Sequence, residues 1–305
     1  MIKAYVINLT RSRDRRAHME RQLKKTQISY EFVKATDYRE VDLGDTQLLD
    51  PEWMAEQTDQ GMRPGTVGAA LSHLDVYRKI LADGAEHALV MEDDITLPAD
   101  LAELASAVQP HMTGAEVVLL NFHSILLLDG GPDQLVRGGS LLNVDLGPCQ
   151  VSRAGSVELP SSRLLVRIAE SCFPSSGGCY LITREACERR LQTGLPVRDY
   201  PDEWAIFYSN GIIERVRCIT PMPVMNSPAF RTTIDQYRPG GVQARAREFV
   251  ARARIPVLYQ ALALRRNKTF RRLGWDGRFE FVDDVSATSP VPVYWRTDQP
   301  VDGLR

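Results

Sequence analysis

Long apolar runs are missing from this 305-residue chain. No window approaches the roughly 20 apolar residues that span a bilayer. The opening Met-Ile-Lys-Ala-Tyr-Val-Ile-Asn-Leu-Thr passes straight into charge, without the apolar stretch of a secretory signal. A cytoplasmic protein is therefore expected, or one peripheral on the cytoplasmic face of the inner membrane. Cysteine is scarce: Cys149, Cys172, Cys179, Cys187 and Cys218 are odd in number and form no C-x-x-C pair. That speaks against a disulfide framework and against a paired-cysteine zinc site. Net charge is nearly absent too, with 37 Lys and Arg against 39 Asp and Glu. The protein as a whole is not a polyanion binder, although local basic patches remain open to it. There is no internal repeat and no low-complexity tract. What is present, 44% hydrophobic and 25% charged residues, is ordinary globular composition. At roughly 100–200 residues per domain, the length allows one large α/β domain or two small ones.

The periodicity gives the order of elements. Ala4–Leu9 is a short apolar run with β-branched Val6 and Ile7, and it reads as a buried strand. A charged amphipathic helix follows over Arg13–Lys25, then a second strand over Tyr30–Ala35. This β-α-β opening usually starts a parallel sheet with crossover helices. Thr36–Pro64 is polar and weakly periodic, and reads as a long loop with one short helix. Ala70, Leu71, Leu74, Tyr77 and Leu81 keep helical spacing within Thr66–Leu81, before Gly84. Ala88–Met91 is a buried strand, Leu101–Val108 a helix and Glu116–Phe122 a strand. Gly130–Leu159 is glycine-rich with hairpin-like turns. Tyr180–Ile182 is a strand leading into a helix, and Trp204–Tyr208 belongs to another helix.

Four clusters carry chemistry. Glu92-Asp93-Asp94 ends the apolar strand Ala88–Met91. Adjacent carboxylates repel unless a cation or solvent shares the site, and strand ends in open α/β sheets border the ligand crevice. The alternative is a solvated acidic turn. Gly65–His73 places small residues at a helix start, where free backbone N–H groups can face an anion, with Ser72 and His73 two turns in. Close helix–sheet packing around a hydrogen-bonded core histidine would explain the same residues. Asn8–Arg16 follows the first strand with Arg11, Arg15 and Arg16, which suits a nucleotide phosphate or, equally, an exposed charged helix face. Asp202 and Glu203 precede Trp204, either capping its helix or supplying a general base.

Taken in order, these clusters, with Gly177-Gly178-Cys179-Tyr180 between the third and the fourth, resemble glycosyltransferase family 25 over roughly residues 1–235. That family includes lipopolysaccharide galactosyltransferases and collagen galactosyltransferase domains. The resemblance implies an α/β fold of GT-A, Rossmann-like type, with a mixed, mostly parallel sheet flanked by helices. It implies a nucleotide-diphospho-sugar transferase that moves a hexose, galactose first among them, from a UDP-sugar to a hydroxyl of a lipopolysaccharide, lipooligosaccharide or other cell-envelope glycan. An inverting reaction assisted by Mn²⁺ or Mg²⁺ is expected. Carried residue by residue, Asp94 would bind the metal, with Asp93 sharing it, and Glu92 or Asp93 would hold the ribose. Asn8, Arg11 and Arg16 would begin the nucleotide pocket, and Ser72 and His73 would form its second wall. Gly178 and Tyr180 would face the donor sugar and acceptor. Asp202 would deprotonate the acceptor, with Glu203 as its rival. One departure is the lack of any histidine beyond His123, since several GT-A enzymes complete their metal site with a late histidine. The alternative functions are a catalytically inactive nucleotide-binding scaffold and, equally, a nucleotidyltransferase or Mg²⁺-dependent phosphohydrolase.

The catalytic domain is expected over 1–238 and a basic, partly helical extension over 239–305. Gln243–Arg272 carries nine Lys and Arg against Glu248 alone, interleaved with apolar residues and interrupted by Pro256. Such a segment suits peripheral contact with an anionic membrane surface, or a solvated basic face, better than nucleic acid. Thr36–Pro64 and the stretch 130–160 are expected to act as substrate-ordered lids.

Overall fold

The computed structural model describes residues 2–59, 64–121, 124–127, 141–145, 151–168, 177–220, 222–227, 230, 255–258, 260–261 and 281–282. In chain order the elements are β1 (Lys3–Asn8), α1 (Arg13–Thr26), β2 (Ser29–Lys34), α2 (Pro51–Asp59), α3 (Pro64–Ala82), β3 (His87–Met91) and β4 (Ile95–Thr96). Then come α4 (Leu101–Val108), β5 (Glu116–Leu119), β6 (Ser124–Leu127), β7 (Leu141–Asp145), β8 (Val151–Leu159), β9 (Arg163–Ile168) and β10 (Cys179–Thr183). They are followed by α5 (Arg184–Thr193), α6 (Trp204–Ser209), β11 (Arg215–Thr220), β12 (Met225–Asn226) and β13 (Phe281–Val282).

Nine strands form one sheet in the order β13-β8-β9-β11-β5-β10-β3-β1-β2. The expected α/β architecture, a mixed sheet flanked by helices, is present. β1 pairs parallel with both β2 and β3. β10 enters antiparallel between β3 and β5, and β11 continues parallel to β5. Side chains on each central strand alternate between two apolar layers. Tyr5, Ile7, Val90, Val117, Leu119, Tyr180 and Ile182 face the layer that includes α3, α5 and α6. Ala4, Val6, Leu89, Met91, Val118, Cys179 and Leu181 face the layer that includes α1 and α4. Burial on both faces explains why these strands read as unbroken apolar runs.

α1 buries Arg15, Met19, Leu23 and Thr26, a stripe at helical spacing. Lys24 and Lys25 in its last turn complement the helix dipole, and left-handed Gln27 ends it. In α5 the Thr183 hydroxyl accepts the Ala186 N–H and so caps the first turn. The polar stretch after β2 contains a 3₁₀ turn, Tyr38–Glu40, as well as the nine-residue α2. Two short pairings, β4 with β12 and β6 with β7, lie outside the main sheet.

Because β1 has β2 on one side and β3 on the other, the chain reverses its winding direction at β1. The loops leaving the carboxyl ends of β1 and β3 therefore part and leave a crevice. This topology, together with the antiparallel β10 behind it, positions the candidate site. The boundary at 238/239 and nearly all of the basic stretch 243–272 lie outside the described residues, as does most of 130–150. Among the described residues no helix is long and apolar enough to cross a membrane.

Candidate active site

At the crevice lies an open cleft of about 660 Å³, solvent at its mouth included. Residues after β1, the start of α3, the loop 35–38 and the Glu92-Asp93-Asp94 turn line it. Two backbone devices build the walls. Gly68 lets the loop lie against α3, because a Cβ there would sit 2.7 Å from the Thr36 carbonyl oxygen. Ser72 then fixes that loop: its hydroxyl accepts the Thr36 N–H at 2.9 Å and donates to the Gly68 carbonyl at 2.6 Å. On the opposite wall the Glu92 N–H donates to the Gly178 carbonyl (2.9 Å), and the Ser227 N–H donates to the Asp94 carbonyl (2.7 Å). The acidic turn is thus held between β10 and the segment after β11.

The three carboxylates differ sharply. Asp93 is buried, and both of its oxygens are engaged, one by Asn8 Nδ2 (2.7 Å) and one by Arg15 (2.7 Å). Arg15 also reaches Asp94 at 3.1 Å and packs against the Phe230 ring. Glu92 and Asp94 face the cleft. Burial, then the charge of Asp93, pushes the Glu92 carboxyl above its usual range, and Arg15 opposes the push. Burial, then the charge of Glu92, does the same to Asp94. Each group favours protonation or a nearby cation over full ionisation near neutrality.

Asp202 joins this group from the loop before α6. Burial and the charge of Glu92 raise its carboxyl to about 6, while the Gly177 N–H and nearby His73 favour the ionised form. His73 Nε2 is 3.8 Å from Glu92 Oε1. Gly177 passes between them, since a Cβ there would be 3.4 Å from both. Residues 85 positions apart and more therefore converge: Asn8 with Asp93, and Asp202 with Glu92 and His73.

Several expected residues take other positions. Arg16 lies on the outer face of α1, where it pairs with Glu20 and covers the Phe32 ring, and it does not line the cleft. The cleft arginine after Arg11 is Arg15, and the signal for it was its place on the Met19–Leu23 stripe, four residues before Met19. Arg11 lines the cleft but is paired with Asp37. Ser72 is spent on backbone groups and is buried, so it holds the wall and presents no free hydroxyl to a ligand. Tyr180 does not face a ligand: it is fully buried, its hydroxyl bonded to His73 Nδ1 (2.7 Å) and to Tyr77 (2.8 Å). Gly178 touches the Asn121 amide, with room for no side chain. The Glu203 carboxylate accepts the Tyr200 N–H at 2.9 Å within its own turn. Asn121, Asp37 and Tyr77 had no motif to reveal them.

The comparisons with known proteins bear on the same segments. The family model described as glycosyltransferase family 25 (LPS biosynthesis protein) matches the chain from its first residue through the acidic turn. Residues 1–125 match glycosyltransferase family 25. The matched segment holds β1, α1, α3, β3 and every lining residue of the cleft. A putative glycosyltransferase, R655, of Acanthamoeba polyphaga mimivirus is 36% identical over 127 residues, which is 39% of this chain and 36% of that protein. Human procollagen galactosyltransferase 2 is 33% identical over 95 residues, 30% of this chain and 15% of that protein. Rodent relatives named as inactive or probably inactive family 25 members match over 97 residues at 30% identity. The chain thus spans about a third or less of the length of these curated relatives. A crystal structure of a glycosyltransferase involved in glycosylation of the PBCV-1 major capsid aligns with 71% of this chain and 80% of its own, at 9% identity and a TM-score of 0.29.

Proposed function

We propose that this protein transfers a hexose, galactose first among the candidates, from a UDP-sugar to a hydroxyl of a lipopolysaccharide, lipooligosaccharide or other cell-envelope glycan, with inversion at the sugar carbon. The observation that carries the reading is the convergence of Asp202, Glu92 and His73 beside the cleft-facing Asp94. The family 25 match and the galactosyltransferase names of relatives support it. In this reading Asp202, with a proton affinity raised to about 6, is largely ionised at neutral pH and takes the proton of the acceptor hydroxyl. The acceptor oxygen then bonds to the sugar carbon as the bond to the diphosphate oxygen breaks, as in a single displacement on an inverting glycosidase. Arg15 and Arg11 set positive charge at the nucleotide end of the cleft. Glu203, tied to Tyr200, is the weaker candidate for the base.

A divalent cation, Mn²⁺ or Mg²⁺, belongs to this proposal. Among the described residues no three His, Cys, Asp or Glu side chains converge on one cation position. Asp93 is withdrawn from that role by Asn8 and Arg15. Asp94 keeps an oxygen free of these bonds in the cleft wall, which fits a hard ion that draws most of its ligands from diphosphate and water. Asp94 would hold the ion, which would offset the charge developing on the leaving diphosphate.

UDP release from a panel of UDP-sugars, with and without Mn²⁺, tests the reading. One donor should turn over only with metal, Asp94→Asn should abolish turnover, and Asp202→Asn should abolish it while donor still binds. Metal-independent release, or full activity in Asp202→Asn, overturns the proposed roles. Donor binding without turnover under all conditions would instead favour the nucleotide-binding scaffold, a reading prompted by the relatives named as inactive.

A further inference from the structure

Behind the cleft runs a buried polar chain that the transfer chemistry above does not use. His73 Nδ1 meets the Tyr180 hydroxyl at 2.7 Å, and that hydroxyl meets the Tyr77 hydroxyl at 2.8 Å. At the far end the Arg190 charge acts on the Tyr77 hydroxyl. All four residues are at least 95% buried. The aromatic members are also packed against one another, with His73 stacked on Tyr180 at 5.8 Å and Tyr180 edge-on to Trp204 at 5.1 Å.

The chain has a direction, and Arg190 sets it. An arginine donates hydrogen bonds and accepts none. The Tyr77 hydroxyl therefore turns its lone pairs toward the Arg190 charge, and its O–H donates to the Tyr180 oxygen. The Tyr180 O–H then donates to His73 Nδ1. The reverse polarity would have Nδ1–H donate to Tyr180 and Tyr180 to Tyr77, leaving the Tyr77 proton facing a cation that cannot receive it. The imidazole is neutral at ordinary pH, because burial pulls its pKa down to about 4 against the opposing charge of Asp202, and the nearby Arg190 charge adds to the fall. A neutral ring that accepts at Nδ1 must carry its proton on Nε2.

Arg190 itself is costly to keep. Its Nε is the buried side-chain nitrogen left without a partner among the described residues, and its guanidinium lies over the Phe207 ring at 3.5 Å. Among the described residues Arg190 forms no ion pair, with the Asp199 charge nearby, and a buried cation kept beside a phenol is more than packing needs. We propose that Arg190, acting through Tyr77 and Tyr180, is a positioning residue that locks His73 in the Nε2–H tautomer, so that His73 presents a hydrogen-bond donor, not a base, to Glu92 and Asp202 at the cleft. The tautomer stands independently of the reaction. Its catalytic consequence, that His73 steers the Asp202 carboxylate, rests on the transferase reading.

Long-range ¹H–¹⁵N correlation spectra of the full-length labelled protein at neutral pH test this without any substrate. The chain has five histidines, and His73→Gln identifies the relevant signals by their disappearance. The wild-type ring should show a pyrrole-type Nε2 and a pyridine-type Nδ1. Tyr180→Phe removes the hydroxyl that meets Nδ1, and should shift the proton wholly or partly to Nδ1. Arg190→Lys, still a donor-only cation, should keep the wild-type tautomer, whereas Tyr77→Phe, which cuts Arg190 off, should release it. A wild-type ring protonated on Nδ1, or unchanged spectra in both folded phenylalanine variants, overturns the proposal. A protein that shows the tautomer yet turns over no donor loses the transferase reading alone.

Discussion

Arg15 offers the sharpest test of how the acidic turn is held. Its guanidinium is 2.7 Å from Asp93 and 3.1 Å from Asp94, and the side chains of Arg15 and Asp93 are 7% and 9% exposed. Arg15→Met preserves much of the stem packing but leaves Asp93 as a buried anion. Removing one partner of such a pair costs about 3–5 kcal/mol. Asp93 would still accept from Asn8, a bond to a charged group that offsets part of the loss. The expected destabilisation is therefore at the lower end, about 3–4 kcal/mol. For a domain of this size that lowers the melting temperature by roughly 6–16 °C. Adding Asp93→Asn should recover stability, because the neutral amide can still accept from Asn8 without needing a cation. The double-mutant cycle should give a coupling of about 2–3 kcal/mol. Chemical denaturation of the four proteins in the absence of nucleotide measures all of these terms. Less than 1 kcal/mol lost in Arg15→Met, or additivity within about 0.5 kcal/mol, would refute the argument that charge pairing holds the turn.

Two other perturbations follow from the same geometry. Gly178→Ala places a methyl group 2.9 Å from Asn121 Oδ1 and 3.3 Å from Asn121 Cγ, and Asn121 is itself tied to the Val224 carbonyl at 3.1 Å. Overpacking of about 1–3 kcal/mol is expected, partly relieved by Asn121→Ser, and an unchanged melting temperature would show that the amide swings aside freely. Glu92 and Asp94 bind protons more tightly folded than unfolded, so their contribution is complete below their unfolded pKa values near 4 and is lost as pH rises to about 7. Without divalent metal, Glu92→Gln/Asp94→Asn should therefore gain stability relative to wild type from pH 4.5 to 7. Parallel melting curves across that window would count against it.

Much of the scaffold was legible because its signals are local. Strand runs such as Ala88–Met91, the helical spacing of α3, and three carboxylates at a strand's carboxyl end depend only on residues near one another in sequence. The β-α-β opening then placed those ends at a crevice. The role of Tyr180 was not legible. A strand buried on both faces is apolar throughout, so its sequence carries no parity to say which side chains point toward α3. Nor did the arginine cluster say which member turns inward; that depends on how α1 rotates to bury Met19 and Leu23, which takes Arg15 to Asp93 and leaves Arg16 outside.

The sequence by itself determined the β-α-β opening, α3, β3, α4, β5 and β10, their order and the acidic turn, since hydrophobic periodicity and strand-end chemistry need no distant partner; it did not determine β9 or β11. Only the tertiary structure decided that Asp93 is a buried anchor while Asp94 and Glu92 face the cleft. It likewise decided that Asp202 joins them and that a chain from Arg190 to His73 lies behind. Those outcomes depend on interactions across 85 to 129 positions, where burial and charge pairing, and not local propensity, set the energy.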